Sequence, residues 1–558
     1  MQLIECVPNF SEGRNLDIIK QITDIIESID GIRLLDVDPG ADTNRTVVTF
    51  VGEPQNVIDA AFLAIKKAEQ LIDMRNHSGA HARMGATDVC PLIPISNISM
   101  EETSEWAKIL GKKVGKELNI PIYLYENSAK SKKRSNLAEI RSGEFEGMSE
   151  KLKLPGWKPD FGPSVQHETA GVTAIGARQF LIAYNINLNS MDKKIATDIA
   201  LDIREKGRFK RDVNGKVIRG KDGKILRIPG KLKACKAVGW YIDEYKQSQI
   251  SMNLVDFTVT PPHIAFEECR KQARKRGVRV TGSEIVGLIP LESILEIGNF
   301  YINEQQRSQG IPENEIINIA VKSLGLDELS PFISKEKIIE YQINPEYGEL
   351  ASNTVFDFAN ELSTDSPAPG GGSVSALVGS MGASLSAMVA NLSIGKKGFE
   401  NKYKSINQLA VKSQSLKKEL LQLIDKDTDT FNTVIAAFRL PKKTDKQNLI
   451  RNNAIQEATK MATMIPFQIL EKCINGLELA LFAAKEGNQN SISDVGVAGE
   501  AFIAGARGAL LNVKINLKDI NDESFIEKLT KECNVLIADG ELTLTKIRTQ
   551  VEYILNKD

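Results

Sequence analysis

The chain is poor in the residues that build disulfide frameworks and metal sites. It has six cysteines and four histidines among 558 residues, and no two cysteines have the CxxC spacing. This excludes a disulfide-stapled secreted module and a zinc knuckle, and it favours a reducing compartment. The first residues, MQLIEC, lack the basic segment and apolar run of a secretory signal. We therefore expect a cytoplasmic protein.

Neither sign of charge is in excess. The 71 lysines and arginines balance 72 aspartates and glutamates, which leaves a net charge of −1. Proteins that coat nucleic acids are usually strongly basic, so we expect no nucleic-acid partner. Apolar residues make up 42% and charged residues 26% of the chain, as in folded globular proteins, which excludes wholesale disorder. The length corresponds to roughly three or four domains.

Long runs of large apolar residues are also missing. Residues 370–395 contain no charged residue and could span a bilayer by length. The run consists mainly of glycine, serine and alanine, however, which contribute little to membrane insertion. Small residues recur about every fourth position, at Ala376, Ser380, Ala383 and Ala387. The pattern predicts a closely packed helix of a folded domain and no membrane span.

Strand-like and helix-like segments alternate in the first 342 residues. Runs rich in β-branched and aliphatic residues at 32–38 and 46–51 predict strands, and apolar residues at helical spacing over 54–73 predict a helix. Similar alternation continues beyond residue 179. We expect two α/β subdomains, resembling α+β sandwiches, at 1–180 and 181–342.

The rest of the chain has a different composition. Within the second subdomain, a basic insert at 208–236 contains the turn dipeptides Asn214-Gly215 and Asp222-Gly223, which predict a β-hairpin. Residues 343–350 resemble a linker. From 351 to 558 the apolar spacing is helical almost throughout, which predicts an all-α helical bundle. Two kinds of fold on one chain suggest two chemistries.

Two of the four histidines lie within five residues, in His77-Ser78-Gly79-Ala80-His81. The spacing is that of a zincin HExxH motif, but serine replaces the glutamate that acts there as the base. No third ligand is visible, so we expect no metal. The loop lies between a predicted helix and an apolar segment, where a histidine can act as a general base near neutral pH. The alternative is a pair of surface histidines.

Three charged residues could assist such a base. Asp38 ends a predicted strand, and acidic residues at strand ends of α/β units often face a ligand crevice. Its alternative role is to begin a turn. Arg45 and Arg83 could each hold a carboxylate through paired hydrogen bonds, or each could be a solvated charge.

Two glycine-containing segments are candidate binding loops. One opens the uncharged helix with Gly370, Gly371, Gly372 and Ser373, where exposed N–H groups attract anions, although a simple helix start is the alternative. The other has the small and turn-forming residues of a clamp on a flat ligand, although it could be an ordinary connection. It consists of Gly162, Pro163, Ser164, Val165, Gln166, His167, Glu168, Thr169, Ala170 and Gly171.

Three aspartates, Asp425, Asp427 and Asp429, occupy alternate positions of a helical pattern. Alternate positions on a helix do not share one face. We therefore expect at most one of the three to point into a pocket.

Together these motifs resemble the bifunctional formimidoyltransferase-cyclodeaminases of histidine degradation. In the first part the similar segments are Glu5–Gly13, Thr43–Thr46, His77–Cys90, Gly176–Arg178 and Asn185–Leu188. In the second part, which is also similar to methenyltetrahydrofolate cyclohydrolases, they are Ala368–Ser373, Gly487-Asn488, Ser493–Val495 and Asn512–Leu517. Several long motifs in the same order make the resemblance specific.

The resemblance implies two reactions on tetrahydrofolate, a co-substrate that we expect to be polyglutamylated. The first moves the formimidoyl group from N-formimidoyl-L-glutamate to N5 of the folate, and the second closes the ring and releases ammonia. It implies that His81 is the transferase acid/base, that Asp427 or the nearby Asp425 is the cyclodeaminase acid, and that the segment 162–171 binds folate. We add the hypothesis that Asp38 orients His81.

The resemblance also leaves alternatives. The second domain could be a cyclohydrolase, or an inactive folate-binding or scaffold module. The insert at 208–236 is longer than the family leads us to expect, and it could bind a polyglutamate tail or be a solvated hairpin. The family further implies a homo-oligomer built from dimers.

Overall fold

The computed structural model describes residues 2–41, 43–79, 81–343 and 348–557. The chain forms two compact units, residues 1–297 with 324–344 and residues 298–323 with 345–558. Half of the expected linker at 343–350 falls on residues 344–347, which lie outside the described residues. Residues 298–323, expected in the second subdomain, belong to the other unit, where Gly310 packs directly on Ala410.

The first subdomain is built on a mixed sheet. Its elements are β1 (Leu3–Cys6), β2 (Asn9–Phe10), α1 (Leu16–Glu27), β3 (Arg33–Gly40), β4 (Arg45–Gly52), α2 (Pro54–Leu71), β5 (Thr87–Ser96), α3 (Met100–Glu117), β6 (Ile122–Leu124), α4 (Leu137–Arg141), α5 (Glu144–Lys151) and β7 (Thr173–Ala177). The strands lie in the order β1-β4-β2-β5-β7-β6, and β3 pairs with β4. β5 and β6 run parallel to β7, whereas the other pairs are antiparallel.

Both faces of this sheet are covered, because successive residues of a strand point to opposite sides. Cys90 of β5 joins the core that α1, α2 and α3 form with the sheet, whereas its neighbour Val89 faces the core that contains Ile140 and Met148. These last two residues belong to α4 and α5. The segment 137–151 therefore packs beside the loop that carries His81.

The second subdomain is built on an antiparallel sheet. Its elements are β8 (Ile182–Leu188), α6 (Lys193–Ile203), β9 (Arg208–Phe209), β10 (Arg227–Ile228), β11 (Cys235–Ile242), β12 (Gln247–Leu254), α7 (Pro262–Lys275) and β13 (Val280–Val286). Four strands form the sheet, in the order β11-β12-β8-β13. Buried apolar residues of α6 and α7, such as Ile199 and Phe266, cover one face.

The basic insert is a small β structure, as predicted. β9 and β10 pair antiparallel, and Gly215 and Gly223 both have positive φ in the two turns. Backbone hydrogen bonds of 2.9 Å link Lys210 to Leu226, Leu226 to Ile218, and Ile218 back to Lys210. The insert is thus a closed, three-segment arrangement with its lysines exposed.

The remaining elements are helices. They are α8 (Leu291–Glu304), α9 (Glu313–Leu324), α10 (Ser334–Lys337), α11 (Ile339–Ile343), α12 (Glu349–Ser352), α13 (Val355–Leu362), α14 (Gly371–Asn391), α15 (Tyr403–Phe438), α16 (Asp445–Glu486), α17 (Ile492–Leu517) and α18 (Glu523–Leu555). The five long helices α14–α18 share one apolar core. The prediction of two sheet-containing subdomains and an all-α bundle is confirmed.

Helix α14 lies in the middle of this core. Its small residues permit very close contacts, since a Cβ added at Gly379 would lie 2.6 Å from Cys473 Sγ. Among the described residues it is the one helix long and apolar enough to cross a membrane, and 61% of its most apolar window is buried inside the protein. Its composition is therefore accounted for by packing.

Candidate active sites

The imidazole of His81 is fixed through one nitrogen. Nδ1 lies 2.7 Å from the carbonyl oxygen of Ala82. A carbonyl can only accept, so Nδ1 carries the proton and donates it to this oxygen. Arg45 Nη1 lies 3.3 Å from the same nitrogen. Since this nitrogen is protonated, Arg45 acts on the ring through its charge and does not donate a hydrogen bond to it. In the neutral ring, Nε2 keeps its lone pair and can act as a base.

The surroundings keep this ring neutral. Partial burial and the neighbouring Arg45 guanidinium both lower the pKa of His81, because each disfavours a second positive charge. A histidine with a lowered pKa is unprotonated at neutral pH and can accept a proton there.

A buried ion-pair network lies behind His81. Asp88 is fully buried, and its Oδ2 accepts hydrogen bonds from Arg45 at 2.6 Å and from Arg141 at 2.5 Å. Burial alone would raise the pKa of Asp88, but the two guanidinium groups outweigh it and lower the pKa. Arg45 also donates to Asn9 Oδ1 at 2.6 Å. Arg45 is thus committed to internal partners, although we predicted it as a substrate ligand.

His77 and Arg83, both in the loop that carries His81, contact each other. His77 Nε2 donates to the carbonyl of Asn44 at 2.8 Å, and its Nδ1 accepts from Arg83 Nε at 3.3 Å. Arg83 also forms ion pairs with Glu144 at 2.8 Å and with Glu146 at 2.6 Å. His77 therefore helps to position Arg83, and both of its ring nitrogens are occupied.

The structure does not bring Asp38 to His81, which corrects our hypothesis. Asp38 is exposed on β3, where it lies opposite Val47 of β4. The hypothesis assumed the parallel strands of an α/β unit, whose carboxyl ends meet at one edge. β3 instead pairs antiparallel with β4, and Ala82 supplies the hydrogen bond that orients the ring.

The segment 162–171 does reach the His81 loop. Gly171 forms an antiparallel bridge with Gly85, and the closeness requires glycine, since a Cβ on Gly171 would lie 2.3 Å from the Met84 carbonyl. Gln166 is held by Phe145 at 2.8 Å and by Ser149 at 2.7 Å, whereas Val165 is 71% exposed. The segment is therefore anchored through Gly171 and Gln166, whereas Val165 is exposed to solvent.

An open cleft of about 480 Å³ adjoins these groups. It is lined by Ser78, Gly79, Arg83, Gly143, Glu144 and Glu146. The cleft thus borders the loop of the proposed base and contains one arginine and two carboxylates.

The second candidate site lies at the N-terminus of α14. The carboxylate of Asp427, on α15, lies against Gly372, where an added Cβ would be 2.2 Å from its Oδ1. Burial raises the pKa of Asp427, although hydrogen bonds from the backbone and hydroxyl of Ser373 act in the opposite direction. A carboxyl group with a raised pKa can carry a proton to and from a substrate.

The neighbouring aspartates have other surroundings. Asp425 accepts hydrogen bonds from the backbone N–H groups of Leu350 at 2.9 Å and Ala351 at 3.1 Å, so it caps the short helix α12. Asp429 is exposed. This arrangement agrees with the expectation that at most one of the three aspartates faces a pocket. The geometry favours Asp427 over Asp425 as the candidate acid of the second site.

The described residues contain no group of three or more histidine, cysteine, aspartate or glutamate side chains suited to hold a metal ion. The expectation of no metal stays a prediction.

Comparisons with known proteins place this geometry in a family. Family models match three segments: residues 3–178 as "Formiminotransferase domain, N-terminal subdomain", 183–344 as "Formiminotransferase domain", and 354–535 as "Formiminotransferase-cyclodeaminase". The chain is 41% identical to the formimidoyltransferase-cyclodeaminase of Rattus norvegicus over 543 residues, which is 97% of each chain.

The chain belongs to the formimidoyltransferase-cyclodeaminase family.

Each half of this family member also has separate relatives. The glutamate formimidoyltransferase of Streptococcus pyogenes is 42% identical over 54% of this chain and 93% of its own length. The methenyltetrahydrofolate cyclohydrolase of Methylorubrum extorquens is 38% identical over 37% of this chain and its full length. Both candidate sites of this chain therefore fall in segments that have enzyme relatives of their own.

Several residues of the first site escaped sequence reasoning. Arg141, Glu144 and Glu146 come from a segment without a motif, and they reach the site because α4 and α5 pack against the sheet. Asp88 and Asn9 lie inside the family segments His77–Cys90 and Glu5–Gly13, so the motifs contained them without indicating their role.

Proposed function

We propose that this chain is a bifunctional folate-dependent enzyme of histidine degradation. It transfers the formimidoyl group from N-formimidoyl-L-glutamate to N5 of tetrahydrofolate, and it then cyclises 5-formimidoyltetrahydrofolate to 5,10-methenyltetrahydrofolate with release of ammonia. The observation that carries the proposal is the presence, in one chain of this family, of two separate groups placed for proton transfer. His81 is bound through Nδ1 and leaves Nε2 as a base, and Asp427 lies against the glycine-rich start of α14.

In the transferase, His81 Nε2 takes the proton of N5 as N5 attacks the amidine carbon. A new N5–C bond forms, and the tetrahedral intermediate then breaks its bond to the glutamate nitrogen. The same histidine returns its proton to that nitrogen, so glutamate leaves as an amine. The neighbouring Arg45 favours the unprotonated ring at the start of the cycle.

In the cyclodeaminase, N10 attacks the formimidoyl carbon that is already bound to N5. The N10–C bond forms, the N10 proton moves to the departing nitrogen, and a further proton allows that nitrogen to leave as ammonia. Asp427 lies at the glycine-rich N-terminus of α14 and is placed to relay these protons. Gly370, Gly371, Gly372 and Ser373 would hold the folate at this end.

The test is the formation of the near-ultraviolet band of methenyltetrahydrofolate when enzyme, formimidoylglutamate and tetrahydrofolate are mixed. His81→Ala should lower the transferase rate by roughly 10² to 10⁴ and spare cyclisation of preformed intermediate. Asp427→Asn should do the reverse. Full activity of both variants would contradict these assignments. Normal transfer without cyclisation in the unmodified enzyme would favour a cyclohydrolase or scaffold role for the second domain.

The folate co-substrate is proposed to be polyglutamylated, with its tail on the basic insert. Residues 208–236 contain eleven lysines and arginines and two aspartates, within a chain of net charge −1. The variant to test replaces four exposed lysines with glutamine: Lys210, Lys216, Lys221 and Lys224. It should have a higher KM for polyglutamylated folate and an unchanged KM for the monoglutamate. If the unmodified enzyme and the glutamine variant had the same KM for polyglutamylated folate, the insert would be a solvated hairpin that does not bind the tail.

We also propose a cytoplasmic homo-oligomer built from dimers. All six cysteines are free, as in a reducing compartment. Large apolar side chains such as Leu511, Leu542 and Val497 are more than half exposed on the helical unit, which supports association of copies. Light scattering on the purified enzyme measures the assembly, and a monomer would contradict the proposal.

A further inference from the structure

Arg45 and Arg83 have partners that differ in how easily a ligand can replace them. The carboxylate partner of Arg45 is Asp88, whose side chain has no exposed surface. The partners of Arg83 are Glu144 and Glu146, whose side chains are 46% and 65% exposed. Removing the buried partner would leave an unpaired charge in the interior, whereas an exposed carboxylate can turn into solvent at little cost.

The cleft also distinguishes the two arginines. Arg83, Glu144 and Glu146 line it, whereas Arg45 is not among its lining residues. A ligand in this cleft would therefore meet the guanidinium of Arg83 and the two carboxylates that now pair with it.

The chemistry of the donor substrate fixes where its α-carboxylate must lie. In N-formimidoylglutamate this carboxylate and the transferred carbon are separated only by the nitrogen and the α-carbon. The group that binds the carboxylate must therefore lie within a few ångströms of the reacting carbon. Arg83 is two residues from His81, so their α-carbons are at most about 7 Å apart. The glutamate of tetrahydrofolate, by contrast, is separated from N5 by the aminobenzoyl group.

We propose that Arg83 binds the α-carboxylate of formimidoylglutamate, and that Glu144 and Glu146 form an acidic latch that this carboxylate displaces. The proposal rests on the transferase function proposed above. Before binding, the latch neutralises Arg83; on binding, the substrate carboxylate takes its place through the same paired hydrogen bonds. The paired hydrogen bonds of Arg83 select ligands with a carboxylate beside the reacting nitrogen, and the latch weakens the binding of each ligand that must displace it.

The backbone around the latch allows such an exchange without refolding. The N–H of Phe145, between the two glutamates, donates to the carbonyl of Arg83 at 2.9 Å. This bond holds the segment in place while the glutamate side chains turn towards solvent. His77 keeps its contact with Arg83 Nε, so the guanidinium stays oriented during the exchange.

The decisive variants are Glu146→Gln and the double variant Glu144→Gln/Glu146→Gln, assayed in the full-length enzyme. Loss of the competing charge should lower KM for formimidoylglutamate about two- to fivefold, because exposed ion pairs are weak. The inhibition constant of L-glutamate should fall by a similar factor, whereas kcat and KM for tetrahydrofolate should not change. Glu150→Gln is the matched control, since Glu150 lies on the same helix and pairs with Lys153.

A second variant tests Arg83 itself. Arg83→Lys keeps the charge but loses the paired geometry, so KM for formimidoylglutamate should rise roughly ten- to a hundredfold with little change in kcat. An unchanged or raised KM in the Glu146→Gln enzyme overturns the latch, and a change confined to KM for tetrahydrofolate overturns the choice of ligand. Failure of the transferase function itself would appear separately, as an unmodified enzyme that forms no 5-formimidoyltetrahydrofolate.

Discussion

His81 and Asp427 lie in different units of the chain, yet burial acts on both in the same way. In the first unit it lowers the pKa of a histidine, and a nearby arginine lowers it further. In the second it raises the pKa of an aspartate, against two hydrogen bonds from Ser373. Burial disfavours the charged form of either group, so one becomes a neutral base and the other a more readily protonated acid.

The two sites differ in what holds the key side chain. His81 is oriented by a loop carbonyl and backed by the ion pairs of Asp88 with Arg45 and Arg141. Asp427 is held by close packing against Gly372 and by hydrogen bonds from Ser373. The first site should therefore be sensitive to changes of charge, and the second to changes of volume.

The largest effect is expected from Asp88→Asn. It leaves Arg45 and Arg141 without their buried counter-charge, which should lower the free energy of unfolding by about 3 kcal/mol or more. All three tryptophans, Trp106, Trp157 and Trp240, lie in the first unit, so fluorescence in a urea titration reports its stability selectively.

The control for this variant is Asp73→Asn, which removes an exposed ion pair with Arg75 and should therefore lower the free energy of unfolding much less than Asp88→Asn does. Equal losses in the two variants would contradict a special role for burial at Asp88.

The next effect is expected from Gly372→Ala. The added Cβ would lie 2.2 Å from Asp427 Oδ1, so the carboxylate must move. We expect cyclodeaminase kcat to fall roughly tenfold to a hundredfold, since small misplacements of a reacting group are costly. Transferase activity should persist. The control is Gly496→Ala, whose Cβ would meet only Val551 at ordinary distances; an equal loss there would point to general damage of the bundle.

The two sites also differ in how far they could be predicted from sequence. Asp427 lies on α15, and Gly371 and Gly372 open α14 after its cap residue Gly370. Family motifs pointed to these residues, and their roles in the reaction stay predictions. Asp38 was misplaced, because we applied a rule for parallel strands to β3, which is separated from β4 by only four residues. So short a connection permits only an antiparallel pair. Glu144 and Glu146 were missed because only the packing of α5 on the sheet brings them to Arg83.

A smaller effect is expected from Asp425→Ala. This side chain accepts two backbone N–H groups of α12, so its loss should lower the stability of the helical unit by about 1 kcal/mol. Because most of the long helices belong to this unit, circular dichroism at 222 nm is the suitable probe. Cyclodeaminase kcat should stay within twofold. A loss as large as that of Asp427→Asn would instead assign Asp425 to the chemistry.

The smallest effect concerns the pH dependence of the transferase. His81 must be unprotonated to accept the N5 proton, so kcat/KM should rise with pH through the pKa of the free enzyme's histidine. Because burial and Arg45 lower this pKa, the midpoint should lie below 6.5, and activity lost in acid should be largely restored by pH 7. The cyclodeaminase activity, measured on preformed 5-formimidoyltetrahydrofolate, should not show this rise with pH, since it does not use His81. A midpoint above 6.5 would mean that the Ala82 carbonyl and Asp88, which raise the pKa of His81, outweigh burial and the neighbouring arginines, which lower it. The contrast between the two sites would then rest on the identity of the base alone.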